Sequence, residues 1–390
     1  MSEAPEVTAG RVPITAEEPP VTTVRVGLAL GIAFTICFVT GVISHLIQHP
    51  PTWFSWPAHP VWLYRVTQGL HVLSGITAIP LLLVKLAIVY RKLFERPLIG
   101  SPVRMAERLS IAVLVASGVF ELVTGLMNTA HWYPWKFFFP AAHHAVAYVA
   151  IGAVAIHIAV KLPVIRAALG EHTEIADGTP DSEKTDTAPA DKDPGPTRRT
   201  VLTATVIGVG VAFVAFAGAT ITPLRRLAFL SPRSGDGPQG VPINRTAETA
   251  GVSTKAVAPD YRLTIAAGAV SRSLALSQLK ALPQRRVRLP IACVEGWSAS
   301  AEWSGIRLSE LLTSVGAVPG TGARMVSLER GSYAVTDIPA THAWDDLTLI
   351  ALTINGDQLS LDHGYPARLI APNLPGVMQT KWLERIEVLS

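Results

Sequence analysis

Five apolar runs, broken by polar segments, fill the first half of the chain at residues 24–47, 62–90, 109–127, 141–162 and 201–221. Each is long enough to cross a bilayer as a helix, which takes about 20 residues. Residues 1–23 are polar and carry Pro13, Pro19 and Pro20, which predicts a disordered tail. Residues 170–197 are acidic and rich in Pro, Thr and Asp, a flexible linker between the fourth and fifth runs. Beyond residue 222 the period changes. Apolar stretches at 287–292, 325–328, 349–354, 367–370 and 385–389 predict strands, and 308–315 predicts a short helix. Gly and Pro punctuate the rest. The first apolar run starts too late and runs too long for a cleaved signal peptide.

Charge orients the five spans. Arg91, Lys92, Arg96, Arg104 and Arg108 lie between spans two and three, Lys161 and Arg166 at the end of span four, and Arg198 and Arg199 before span five. All fall on one side if the N-terminus is cytoplasmic. The opposite loops carry Trp53, Trp56, Trp62, Trp132 and Trp135, as an aromatic belt requires. Residues 222–390 are then extracytoplasmic, and the chain is a multi-pass protein of the inner (plasma) membrane.

Composition agrees. Of 390 residues 16% are charged and 49% hydrophobic, with a mean hydropathy of +0.35. Soluble proteins carry roughly 25% charged residues, so a cytosolic enzyme and a disordered or fibrous chain are both excluded. The net charge of +4 sits at the ends of apolar runs, so the basic partner is the membrane lipid and not nucleic acid. Cys37 and Cys293 are the two cysteines; Cys37 lies inside a span, so no disulfide framework exists.

Ionisable residues inside spans are costly and mark function. His45 lies on span one, His71 on span two, and His143 and His157 on span four. His143 and His157 are 14 residues apart, which returns them to nearly one helix face, roughly 21 Å apart along the axis. His144 points elsewhere. Depth counted from the span ends pairs His45 with His143 on the outer side and His71 with His157 on the inner side. Each pair is expected to hold a haem between facing helices, and two-histidine ligation suits electron transfer. Gly69, Gly75, Gly118 and Gly125 would let a flat macrocycle approach. Interhelical hydrogen bonding is the alternative role of these histidines. The pattern resembles the four-helix b-type cytochromes that anchor periplasmic oxidoreductases, such as the formate dehydrogenase membrane subunit. There a histidine pair 14 residues apart on span four serves two haems. That family's span-one ligand lies towards the inner side, whereas His45 lies outward.

Thr197-Arg198-Arg199-Thr200 precedes a span rich in Ala and Gly, and resembles a twin-arginine signal. Such a signal exports folded domains that already carry a cofactor. Positive-inside charge alone also explains the two arginines. Small residues at 215–219 are compatible with cleavage after the span.

Cys293 follows an apolar strand and opens a turn. A thiolate suits a thiophilic metal, yet one cysteine with no clustered His or Cys cannot build a zinc or iron–sulfur site. The metal must bring its other ligands. Cys293-Val294-Glu295-Gly296-Trp297-Ser298, then Trp303-Ser304-Gly305, resembles the molybdenum domain of the sulfite oxidase superfamily, in its periplasmic methionine sulfoxide reductase branch. Residues 364–372, continuing through Gly376 to Lys381-Trp382, resemble its second motif. The resemblance covers roughly 255–390. It implies a molybdenum–molybdopterin cofactor with Cys293 as the protein ligand. It also implies that Arg368, Lys381 and the turn at Gly376 receive the pterin phosphate, which needs cations and backbone N–H groups. Glu295 and Trp297 are expected beside the metal, and Tyr333 and His342 are substrate-pocket candidates. The sulfite-oxidising branch surrounds its cysteine with arginines; Val, Glu, Gly, Trp and Ser follow Cys293, which favours a neutral or S-oxide substrate.

The expected architecture is therefore a membrane α-helical bundle, four haem-binding helices plus a fifth span, followed by an extracytoplasmic α+β, β-rich, sulfite-oxidase-like domain. Its parts are a tail (1–23), a di-haem unit (24–169), a linker (170–197), a twin-arginine-like span (198–222) and a molybdopterin domain (223–390). The expected activity couples S-oxide or N-oxide reduction, or oxidation of a small substrate, to the quinone pool through one or two b-type haems. Candidate partners are a small or protein-bound S-oxide and a periplasmic electron carrier. An electron-transfer cytochrome whose outer domain merely binds a partner is the alternative, and a non-redox receptor a third.

Overall fold

The structure, a computed structural model, describes residues 21–95, 101–174, 198–231 and 237–389. Five long helices come first: α1 (Val21–Gln48), α2 (Leu63–Leu93), α3 (Pro102–Thr129), α4 (Phe139–Glu174) and α5 (Arg198–Ala217). All five are long and apolar enough to cross a membrane. α1, α3 and α4 overrun the apolar stretches at both ends, because polar end turns satisfy helix geometry as well as apolar ones do. α5, expected to reach 222, stops at Ala217, before the turn that opens the second domain. The Ser101 hydroxyl accepts the Arg104 N–H at 3.3 Å and Pro102 occupies the first turn, a standard N-terminal stop. Thus residues 21–23, expected in the tail, and 170–174, expected in the linker, are helical. The rest of the tail and linker lie outside the described residues.

The fifth helix is not set apart from the other four. Leu202 and Val209 of α5 pack with Val26, Ala33, Ala78 and Leu81. Gly208 lies against Pro80, within α2. The bundle has five members, and α5 leads straight into the second domain.

That domain is built on two five-stranded sheets. Its strands are β1 (Arg262–Ala267), β2 (Val270–Ala275), β3 (Arg285–Ala292), β4 (Ser298–Arg307), β5 (Gly322–Ser327), β6 (Val335–Ile338), β7 (Leu349–Ile354), β8 (Asp357–Gln358), β9 (Arg368–Ile370) and β10 (Leu383–Leu389). One sheet runs β2-β1-β10-β5-β6, with β1 and β10 parallel; the other runs β3-β4-β7-β8, with β9 paired to β7. On β3, Val287, Leu289 and Ile291 point inward while Arg286 and Arg288 face solvent, the period of a half-buried strand. Pro290 is tolerated because β3 is an edge strand.

The core between the sheets continues into the bundle. Leu263, Ile265, Ile306, Met325, Ile350 and Ile386 share one cluster with Ile47 of α1 and Tyr64 of α2. Polar contacts reinforce this. The Tyr64 N–H donates to Asn373 Oδ1 at 2.6 Å, Asn373 Nδ2 to the Pro57 carbonyl at 2.6 Å, and Trp56 Nε1 to the Asn373 carbonyl at 2.8 Å. The Trp-rich loops therefore lie at the domain's end of the bundle, and the arginine-rich ends lie opposite.

Candidate functional site

Strand β3 ends in a tight turn that presents Cys293. The Gly296 N–H donates to the Cys293 carbonyl at 3.0 Å, and the Cys293 N–H to the Trp297 carbonyl at 2.9 Å. Gly296 has φ +92, and a Cβ there would lie 2.8 Å from Val72 of α2. Glycine is required twice, for the turn and for the approach of the helix. The turn is clamped to the bundle elsewhere too. The Val294 carbonyl accepts from Gln68 Nε2 at 3.1 Å and Asn128 Nδ2 at 3.3 Å, and the Gly296 carbonyl from Thr220 Oγ1 at 2.8 Å.

The Cys293 side chain is fully buried. With Glu295 and Trp297 it lines one cavity. The Glu295 carboxylate accepts from Trp297 Nε1 at 3.0 Å and pairs with His131 Nε2, from the α3–α4 loop, at 2.9 Å. The second motif closes over the turn: Pro375 bridges Ala292, and a Cβ on Gly376 would meet the Ala292 carbonyl at 3.2 Å.

Two buried cations face the same cavity. Arg368 Nη1 and Nη2 donate to the His363 and Gln379 carbonyls at 3.0 and 3.2 Å. Its Nε, and the hydroxyl of neighbouring Thr380, are buried with no hydrogen-bond partner among the described residues. Among the described residues Lys381 Nζ donates to the Asn244 side-chain oxygen and to the Arg245 and Asp362 carbonyls. Burial pushes Arg368 down to about 9 and Lys381 to about 7. Burial of a cation is costly. The Asp362 and Glu329 carboxylates partly offset the charge of Lys381, and an anionic group with acceptor oxygens would satisfy Arg368 Nε and the Thr380 hydroxyl as well. Among the described residues no group of three or more His, Cys, Asp or Glu could hold a metal. Hence a metal at Cys293 brings its own further ligands. Cys293, Arg368 and Lys381 fit a soft metal on a phosphorylated carrier.

Of the two substrate-pocket candidates, one falls elsewhere than the sequence suggests. His342 is fully buried in a short helix and does not line the cavity; burial pushes it down to about 4. Tyr333 does line it. Arg285, Arg286 and Arg288 are exposed on β3, Arg286 beside Glu302. Besides Arg368, Arg245 lines the cavity, paired with Glu329 at 2.6 Å. Sequence reading misses it because it precedes the domain's first strand and reaches the site only through folding.

The cavity holds about 1280 Å³ and is continuous from Cys293, Arg368 and Lys381 down to His71 and His143 between the helices. The histidine rings meet in pairs other than those expected from residue counting. His71 and His143 have ring centroids 6.4 Å apart at 80°. His45 instead stacks on His144 at 3.6 Å and 12°, with His49 at 4.7 Å on it as well. His157 does not line the cavity; its charged neighbours are Lys85, Lys161 and Glu107. His71 is eight residues into α2 and His143 four into α4. Counting from the ends makes them about one turn apart, and an offset between the helix ends removes that difference. His157, roughly 21 Å further along α4, is then out of reach of His71. Of the four glycines, Gly75 and Gly125 line the cavity, whereas Gly69 meets Thr220 and Gly118 meets Phe34.

The rings suit a shared iron. At metal–nitrogen distances of about 2 Å, two imidazoles on opposite faces of one iron have centroids about 6 Å apart. His71 Nδ1 lies 2.8 Å from the Cys37 carbonyl, and His143 Nδ1 lies 3.0 Å from Thr124 Oγ1 and 3.2 Å from Glu121 Oε2. Both Nε2 atoms are left for a ligand, as in metal-binding histidines. The His45–His144 stack is too close to admit an iron.

The lysine carries a pH prediction. Its folded value lies below the unfolded one, about 10.4. Between these values the unfolded chain binds the proton that the folded chain has released, so stability rises with pH. Cofactor-free protein is expected to unfold at higher temperature as pH goes from 7 to 9, and loaded protein to lack that rise. Thermal unfolding at pH 7, 8 and 9 checks this; a flat profile without cofactor contradicts it.

Known proteins bear on this geometry. Residues 250–390 match the family model described as the oxidoreductase molybdopterin binding domain. The chain is 34% identical over 155 residues to the mitochondrial sulfite oxidase of Drosophila melanogaster, covering 33% of this chain and 27% of that protein. It is 32% identical over 133 residues to a putative protein-methionine-sulfoxide reductase subunit, YedZ1, of Azospira oryzae, covering 34% of this chain and 50% of that protein. The chain thus spans about a quarter to a half of these relatives. The solved sulfane dehydrogenase SoxCD of Paracoccus pantotrophus matches at 27% identity and a TM-score of 0.31, over 34% of this chain and 38% of that one.

Proposed function

From the premise that residues 250–390 are a molybdopterin-binding oxidoreductase domain of the sulfite oxidase type, we propose that the whole chain is a membrane-bound oxidoreductase. In it the molybdenum site and a b-type haem site belong to one polypeptide. The cavity that joins Cys293 to His71 and His143 carries this reading. Cys293 holds the metal, Arg368 and Lys381 receive the pterin phosphate, and the turn at Gly376 lets the second motif lie against the metal loop. His71 and His143 hold the haem. Molybdenum with its pterin supplies two-electron and oxygen-atom chemistry, and haem supplies one-electron carriage.

The exposed Leu28, Ile32, Val39, Leu83, Ile156 and Val206 on the helices support a lipid surround. The tryptophans and arginines at opposite ends support an extracytoplasmic domain and a cytoplasmic N-terminus in the plasma membrane. Reduction of an S-oxide or N-oxide with electrons from the quinone pool is the preferred reaction, and oxidation of a small substrate is the reverse sense. The ties from Val294 to Gln68 of α2 and Asn128 of α3 support direct electron transfer between the two sites.

The test is molybdenum and iron per chain, by mass spectrometry of detergent-purified protein. One of each is expected. Absent molybdenum overturns the catalytic reading, absent iron the haem reading, and two irons the single histidine pair. Export supplies a separate check. Changing Arg198 and Arg199 to Lys is expected to leave residues 223–390 on the cytoplasmic side, read by protease protection. Normal export rejects the twin-arginine reading.

A further inference from the structure

The bundle buries a carboxylate that the proposed function does not use. Glu121 lies within the long apolar helix α3, is 9% exposed, and lines the cavity. An ionisable side chain in such a helix is costly unless it has a task. Its Oε2 lies 3.2 Å from His143 Nδ1. Its Oε1 is buried and has no hydrogen-bond partner among the described residues. Thr124, one turn along α3, also meets His143 Nδ1, at 3.0 Å, while its hydroxyl donates to the Phe120 carbonyl at 2.6 Å. Thr124 and Glu121 therefore share one imidazole N–H as acceptors. The facing ring differs: His71 Nδ1 meets the Cys37 carbonyl, a neutral acceptor.

We propose that Glu121 is a positioning residue that accepts the Nδ1–H of His143, aims Nε2 at the haem iron, and holds the iron's reduction potential down. This rests on the haem reading above. A carboxylate acceptor makes an imidazole a stronger donor to its metal than a carbonyl does. Stronger donation stabilises the oxidised iron, so hydrogen bonding in the second sphere sets the potential. The two histidines that would hold the haem then differ: His71 on α2 meets a neutral acceptor at Nδ1, and His143 on α4 meets a carboxylate.

The test uses the full chain in detergent, with haem content, midpoint potential by spectroelectrochemistry, and the low-spin electron paramagnetic resonance spectrum as readouts. Glu121→Gln keeps an acceptor oxygen but removes the carboxylate. It is expected to retain haem on purification with affinity lowered by about 10-fold, to raise the potential, and to shift the low-spin spectrum. Thr124→Val removes the competing acceptor and is expected to lower the potential, the opposite sign. Glu107→Gln, an exposed partner of Lys161, serves as control and leaves both readouts unchanged. If Glu121→Gln does not accumulate, the Thr124→Val shift decides. A wild-type chain without haem overturns the haem reading and this inference together. A wild-type chain with haem, and variants at the wild-type potential, overturn this inference alone.

Discussion

Cys293→Ser is expected to lower turnover by more than about 100-fold while leaving haem absorbance and the fold intact. Loss of a mere outer-shell partner costs a metal site about 10–100-fold, and removing the protein's ligand exceeds that. The fold should survive because serine is slightly smaller and the turn depends on other atoms. The Gly296 N–H to Cys293 carbonyl bond and the Cys293 N–H to Trp297 carbonyl bond are both backbone bonds. The site is also held from outside by Gln68, Asn128 and Thr220. Assays with small S-oxides and an artificial electron donor, alongside molybdenum content and the haem spectrum, check the prediction. Turnover retained in Cys293→Ser removes the cysteine from the metal.

His71→Ala and His143→Ala are each expected to abolish the same haem signal, and His157→Ala to leave it. The two rings, 6.4 Å apart, share one space, and alanine in either leaves the iron one strong ligand short. His157 lies among Lys85, Lys161 and Glu107, away from that space. His45→Ala should likewise spare the haem, since its ring is engaged with His144 and His49. Visible spectra of the four purified variants give the answer. Loss in His157→Ala would restore the inner pair expected from residue counting.

Much of this protein is readable residue by residue. The five apolar runs, the loop charges and the change to period two after residue 222 are local patterns. So are β3, β5, β7, β9 and β10, where large apolar side chains recur. Strands with few apolar residues escape notice: β2 buries little beyond Leu274, and β4 opens on alternating Ser and Ala before it buries Trp303 and Ile306. β1 buries just Leu263 and Ile265, with Arg262 and Thr264 before and between them. Cys293 and the Arg368–Lys381 motif are legible because each packs its chemistry into a few consecutive residues. Glu121 carried an equally plain signal, an acid inside an apolar run, that a search confined to histidines passes over.

Partnership is a different matter. Arg245 and Lys381 meet across 136 residues of chain, and Glu295 meets His131 from another domain. Nothing in either local segment encodes the meeting. The histidines show the same limit most clearly. Spacing within α4 puts His143 and His157 on one face, as helix geometry demands. Whether His143 looks at His45 or His71 depends on the offset and rotation of α4 against its neighbours, and so does the seat of His144 on His45. Those are fixed by side-chain packing between helices far apart in sequence. Periodicity and composition act through neighbours along the chain and so belong to the sequence. Which histidine rings face each other, and the joining of Cys293 to His71 and His143 in one cavity, follow from how separate segments pack.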